Sequence, residues 1–147
     1  SECMFILSTV TLSNDNETPD EAICADAWDL FHPVLDVVKK EFVGDKIVDD
    51  DYENERVLLF FANLCCDPSH AVEIYDNIKS LLSDWFEVVK FEEHEWGVIY
   101  WSRLISMLSF VPSIVPQISP LFDEAMEWCK QNGGLSVDYA RYSNNCK

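Results

Sequence analysis

The sequence predicts an all-α protein, a bundle of about seven helices around one hydrophobic central helix. Apolar residues recur three and four positions apart along most of the 147 residues, which is the period of a helix with one buried face. No stretch shows a convincing strand pattern. Hydrophobic residues make up 48% of the chain and glycine occurs only 4 times, which favours one folded core over disorder. We therefore expect a single domain over residues 1–147.

The first third of the chain is predicted to form one long helix. Residues 18–21 read Thr-Pro-Asp-Glu, a capping threonine followed by a proline and an acid suited to a first turn, so we expect a helix to begin there. It is kinked at Pro33 and ends at Gly44. Residues 4–12, which precede it, fit either a helix or a strand. The acidic residues within 49–55 are predicted to lie in a solvated loop.

Three further segments have helical patterns. An aspartate and a proline at 67–68 begin a helix whose apolar spacing continues to Val89. Residues 95–111 are apolar on nearly all sides, as expected for the helix in the middle of a bundle. A serine and a proline at 119–120 begin another helix, and the glycine pair at 133–134 ends it.

The formal net charge of −17 limits the partners that the surface can attract. Only 10 basic residues oppose 27 acidic ones, which disfavours nucleic acid and anionic membranes and favours a basic or amphipathic partner. The apolar stretch 96–122 contains Arg103 and three prolines, so we expect a buried helix and a bend instead of a membrane span. Neither a signal peptide nor a hydrophobic C-terminal tail is recognisable.

The sequence predicts no enzyme, no cofactor and no metal site. It contains no nucleophile elbow, no phosphate-binding glycine loop and no zinc-binding HExxH motif. The spacing of the six cysteines resembles neither a disulfide framework nor a metal site. We expect them to be reduced, mostly buried thiols of a cytosolic protein.

Arg103 is the only charged residue between Trp96 and Phe122, and its neighbours are large apolar side chains. Removing a guanidinium from water costs free energy unless a carboxylate or several acceptors meet it. Two interpretations remain open. The compensating acid is either an internal aspartate or glutamate distant in sequence, or a carboxylate that a partner brings.

Two segments resemble signature motifs of the Bcl-2 family of apoptosis regulators. The first lies within 96–111, reads Tyr-Trp-Ser-Arg-Leu-Ile-Ser-Met-Leu-Ser-Phe from residue 100, and resembles the BH1 motif. The second lies within 127–142, begins Glu-Trp-Cys-Lys-Gln-Asn-Gly-Gly-Leu, and resembles the BH2 motif. Together with a tail similar to the family's ending at 142–145, they cover roughly a fifth of the chain and occur in the family's order.

The chain also departs from the family pattern. Ser102 stands where BH1 has glycine, and Leu135 stands where BH2 has tryptophan. A competing register puts Trp96 at the BH1 tryptophan, with Val98 in place of the arginine. No BH3-like segment is recognisable within 19–42. Degenerate motifs without a membrane tail are typical of the pro-survival homologues encoded by large DNA viruses such as iridoviruses and poxviruses.

The resemblance implies a Bcl-2-like bundle that inhibits apoptosis in the host cytoplasm, with recruitment to mitochondria through its partners. A hydrophobic groove would receive the amphipathic BH3 helix of a pro-apoptotic protein, Bim-like or Bak or Bax, and the BH3 aspartate would pair with Arg103. By position, the groove would be formed by Arg103, Ser102, Ile105, Ser106, Phe110, Tyr142, Val89 and Phe91. An exposed groove is also compatible with a homodimer.

Two other functions compete with this interpretation. The first is an acidic decoy whose carboxylates imitate the phosphates of nucleic acid, which the net charge favours. The second is a scaffold of the same fold that modulates host signalling without binding BH3 helices. Added salt separates the first from groove binding, because a decoy depends on charge and a groove depends on apolar anchors.

Overall fold

All regular structure in the described part of the chain is helical. The computed structural model describes Ser8 and residues 19–41, 51–90 and 96–132. The helices are α1 (Glu21–Ala27), α2 (Phe31–Glu41), α3 (Asp51–Leu64), α4 (Pro68–Ile78), α5 (Leu82–Val89), α6 (Trp96–Leu108) and α7 (Val115–Gln131), and a 3₁₀ turn (Trp28–Leu30) joins α1 to α2. No β-strand occurs in these ranges, so the prediction of an all-α class is confirmed there.

Helix α6 lies in the middle of the described bundle. Its most extensive contact is with α3, and it also packs against α4, α5 and α7. Trp101, Ser106 and Met107 point in different directions around the helix axis, yet none of the three is more than 8% exposed. This agrees with the all-round apolarity of residues 95–111, although the helix ends at Leu108 and a turn follows.

Helix α3 begins inside the segment that the sequence analysis assigns to an acidic loop. Residues 51–55 are helical, and Glu55 is only 3% exposed. The prediction of a solvated loop is therefore wrong for these residues. Acidic side chains in a first helical turn are favoured by the unpaired N–H groups there, so an acidic run does not by itself indicate a loop.

The predicted long helix of the first third is divided into α1 and α2. Asp20, and not Thr18, caps α1, since its Oδ1 accepts a hydrogen bond from the backbone N–H of Ile23 at 3.1 Å. The interruption over 28–30 comes just before the predicted kink at Pro33. The ring of a proline in a helix clashes with the backbone one turn earlier, which places the break on its N-terminal side.

Two more helix boundaries differ from the predicted ones. The helix predicted from 67–68 to Val89 is two helices, α4 and α5, joined by a turn in which the Leu81 N–H donates to the carbonyl of Ile78 at 2.8 Å. Lys79 and Leu81 keep right-handed helical dihedral angles, so the apolar spacing continues across the turn. Helix α7 begins at Val115, five residues before Pro120, which lies inside it.

We predict that Leu104→Ala destabilises the protein by about 2–5 kcal/mol, because it leaves a cavity at a fully buried position of the central helix. Urea unfolding followed by circular dichroism measures this loss. Val37→Ala on α2 is the matched control, since the Val37 side chain is 53% exposed, and it should change the free energy of unfolding by less than about 0.5 kcal/mol. Equal losses for the two variants would contradict a buried central helix.

Candidate functional site

Arg103 lies half-buried on α6, in contact with an aromatic ring of the same helix. Its guanidinium carbon is 5.5 Å from the centre of the Tyr100 ring, which lies one turn earlier. A guanidinium over a ring face is stabilised by the ring's quadrupole and keeps its planar fork in a defined direction. Arg103 takes part in at least one further interaction, so both interpretations of its compensating acid stay open.

The other predicted groove residues are mostly in the core. Ser102, Ile105 and Ser106 have no exposed surface, and Val89 on the neighbouring helix α5 is 1% exposed. Phe110 differs, because its side chain is 53% exposed in the turn after α6. Of the predicted set, the structure therefore places Arg103 and Phe110 at the surface and covers the other four. Phe91 and Tyr142 lie outside the described residues.

The BH1-like and BH2-like segments are described to different extents. Residues 96–111 coincide with α6 and the turn that follows it. The BH2-like segment 127–142 is described only as far as residue 132, where α7 ends. The side chain of Asn132 donates to the carbonyl of Trp128 at 2.9 Å and helps to end the helix there. The glycine pair at 133–134 lies outside the described residues.

The three buried serine hydroxyls of α6 and its final turn differ in their hydrogen bonding. Ser106 Oγ donates to the carbonyl of Arg103 at 3.2 Å, and Ser109 Oγ donates to the carbonyl of Ser106. Ser102 Oγ is buried without a hydrogen-bond partner among the described residues. A buried hydroxyl without a partner costs about 1–3 kcal/mol. Ser102 is also the residue that replaces the BH1 glycine, so the departure from the motif coincides with a local energetic cost.

A separate pocket of about 390 Å³ lies between α1 and the turn that joins α3 to α4. It is lined by Glu21, Cys24, Ala25, Cys66, Asp67, Pro68 and His70. Its wall on the α4 side is held in two ways. Asp67 caps α4 by accepting hydrogen bonds from the N–H and the hydroxyl of Ser69, which also lower the pKa of its carboxyl group. The ring of His70 stacks on that of Trp28, with centroids 3.8 Å apart and planes 5° apart.

Two of the lining residues, Cys24 and Cys66, carry thiols. Cys24 is buried and donates to the carbonyl of Asn63 at 3.4 Å, and its side chain lies within hydrogen-bonding reach of the half-buried Cys66. Burial raises the pKa of the Cys24 thiol to about 12, with smaller contributions from Cys66 and from Asp20 and Glu21. Burial also raises the pKa of Cys66. At neutral pH both groups are therefore protonated thiols.

The sequence analysis does not find this pocket. It identifies the cap and the proline at 67–68, and it expects the cysteines to be reduced, which agrees with the absence of a disulfide at the four described cysteines, 24, 65, 66 and 129. The missing information is the pairing of Cys24 with Cys66, which are 42 positions apart. Helical periodicity places each cysteine on a face of its own element but does not show which faces meet.

No protein-family model, no curated protein and no solved structure matches the chain. Within the described ranges, none of the helices is both long and apolar enough to cross a membrane. The described side chains also include no group of three or more His, Cys, Asp or Glu arranged to hold a metal ion.

We predict that Ser102→Ala raises the free energy of unfolding by about 1 kcal/mol, since it removes a buried hydroxyl that has no partner and improves the helix propensity of the position. Ser106→Ala is the matched control on the same helix. Its hydroxyl is equally buried but hydrogen-bonded, so removing it should not stabilise the protein. Chemical denaturation compares the two, and a destabilised Ser102→Ala would show that this hydroxyl is satisfied in solution.

Proposed function

We propose that the protein is a non-catalytic, Bcl-2-like inhibitor of apoptosis that sequesters the BH3 helices of pro-apoptotic proteins, of the kind encoded by large DNA viruses. The order of the BH1-like and BH2-like segments and the helical bundle support this proposal. The observation that carries it is the position of Arg103, the arginine of the BH1-like segment, which is half-buried on the central helix beside Tyr100.

Recognition would begin with the charge that Arg103 offers to the BH3 aspartate. The guanidinium already loses part of its hydration to the protein, because it is half-buried against the Tyr100 ring. A carboxylate from the partner would form charge-assisted, two-pronged hydrogen bonds that fix the direction of the incoming helix. Phe110, which is 53% exposed in the turn after α6, offers an apolar surface for one of the anchors of that helix.

Access to the remaining groove residues would require movement. Ile105, Ser106 and Val89 are in the core, so apolar anchors reach them only after the helices that cover them separate from α6. Helix α5 is one of the helices that cover α6. Two interactions hold it there: the rings of Phe86 and Trp101 have centroids 4.7 Å apart, and Trp101 Nε1 donates a hydrogen bond to the carbonyl of Leu82 at 3.1 Å. The free energy needed for this opening makes the net free energy of binding less favourable and so lowers the apparent affinity.

The net charge selects among BH3 helices. A surface with a formal charge of −17 attracts basic helices and repels acidic ones, so long-range electrostatics favours partners whose exposed face carries lysine and arginine. The apolar anchors act at short range and are insensitive to salt. Raising the ionic strength should therefore slow association with a basic BH3 peptide while leaving most of the affinity. A loss of all binding at high salt would favour the acidic decoy.

We predict that Arg103→Ala weakens the binding of BH3 peptides by roughly 30-fold or more, the effect of removing one partner from a desolvated charge pair. Isothermal titration calorimetry against a panel of BH3 peptides measures it. Lys79→Ala is the matched control, because it removes the same charge from a lysine side chain that is 55% exposed on the chain segment after α4 and should leave the affinity within about twofold. The absence of binding to every peptide would refute the proposed function.

We also predict that Phe110→Ala weakens peptide binding by roughly tenfold while changing the free energy of unfolding by less than about 0.5 kcal/mol, since an exposed aromatic ring adds little to the stability of the free protein. Val37→Ala removes an equally exposed apolar side chain from α2 and should change neither quantity. Calorimetry and urea unfolding on both variants separate the two effects. Unchanged affinity in Phe110→Ala would exclude this turn from the groove.

A further inference from the structure

Cys24 and Cys66 line the same pocket and interact with each other, and the proposed groove does not use them. Cys24 belongs to α1 and Cys66 to the turn before α4, so a bond between them would join two elements that are distant in sequence. The pocket of about 390 Å³ beside them leaves room for a small reagent. Cys65, the neighbour of Cys66, is 4% exposed and is not among the lining residues.

We propose that Cys24 and Cys66 are a modification site at which a low-molecular-weight disulfide oxidises the two thiols to an intramolecular disulfide. Cys66, the more exposed of the two, loses its proton to solvent, and its thiolate attacks one sulfur of the reagent. The S–S bond of the reagent breaks, and one thiolate leaves with the bonding electron pair. Cys24 then loses its proton and attacks the Cys66 sulfur, which expels the second reagent thiolate. Two protein thiols are oxidised, and one reagent disulfide is reduced to two thiols.

The charges around the pocket determine which reagents enter it. Glu21 and Asp67 line the pocket together with His70, whose Nδ1 is 4.0 Å from Asp67 Oδ2. Two carboxylates repel anionic disulfides, so neutral or cationic reagents react faster than anionic ones of equal intrinsic reactivity. The raised pKa values of both thiols make the exchange slow at neutral pH, and its rate increases about tenfold per pH unit between pH 7 and 8.5.

The disulfide would fix α1 to the α3–α4 turn. It closes a loop from residue 24 to residue 66, which lowers the conformational entropy of the unfolded chain. The thermal unfolding midpoint should therefore rise by about 10 °C after oxidation and return after reduction. Oxidation also removes the proton that Cys24 donates to the carbonyl of Asn63, which reduces this gain.

The test treats the full chain with 2-hydroxyethyl disulfide, a neutral reagent, at pH 8. A protease specific for glutamate then releases Cys24 in the peptide 22–41 and Cys66 in the peptide 56–73, while Cys3 falls in the peptide 3–17. Mass spectrometry without reduction should find 22–41 linked to 56–73, with the loss of two hydrogens, in protein that has no disulfide between two chains. The linked form should show the higher thermal midpoint.

Matched variants identify the two sulfurs. Cys66→Ser should abolish the link, whereas Cys65→Ala should keep it. Cys65 and Cys66 fall in the same proteolytic peptide, but of the two only Cys66 lines the pocket. Circular dichroism establishes that each variant is folded. A wild-type protein that forms no link, a link inside the peptide 56–73, or a link that persists in Cys66→Ser would each overturn the proposal.

Discussion

The described bundle depends on the burial of one helix on nearly every side. Helix α6 packs against α3 most extensively and against α4, α5 and α7 on its remaining faces, so each of these helices must present an apolar face to it. Aromatic contacts extend this core, with Trp85 edge-on to Phe61 at 6.2 Å and Phe61 edge-on to Phe31 at 5.2 Å. A substitution in α6 therefore affects the packing of four neighbouring helices.

The same burial governs any function of α6 as a binding surface. A helix that completes the core of the free protein cannot also be an open groove, so partner binding must exchange internal contacts for external ones. The contact between Phe86 and Trp101 and the hydrogen bond to the carbonyl of Leu82 are among the interactions that such an exchange would weaken. A partner helix must offer more buried apolar area than the contacts it displaces, and selectivity then depends on both the new contacts and the cost of opening.

The sequence predicts the helical class, the central helix and the cap at Asp67, because these features depend on residues close together in the chain. It fails at the cap of α1, at residues 51–55 and at the division between α4 and α5. At these places the choice between continuing a helix and ending it depends on packing, or on a turn whose residues keep helical dihedral angles and so preserve the apolar spacing. For the groove, periodicity shows that Ile105 lies on an apolar face. It does not show whether that face is covered by the protein's own helices or by a partner, and in this structure it is covered.

Polar residues on α6 are the clearest departure from what stability alone would select. The helix could be completed with apolar side chains at every covered position, yet it carries a buried Ser102 hydroxyl without a partner in the described ranges and an arginine at its edge. These two residues are adjacent in sequence, and both fall in the BH1-like segment. Natural proteins accept local costs of this kind mainly at functional sites. The coincidence favours a role for this part of α6 in recognition over a purely structural one.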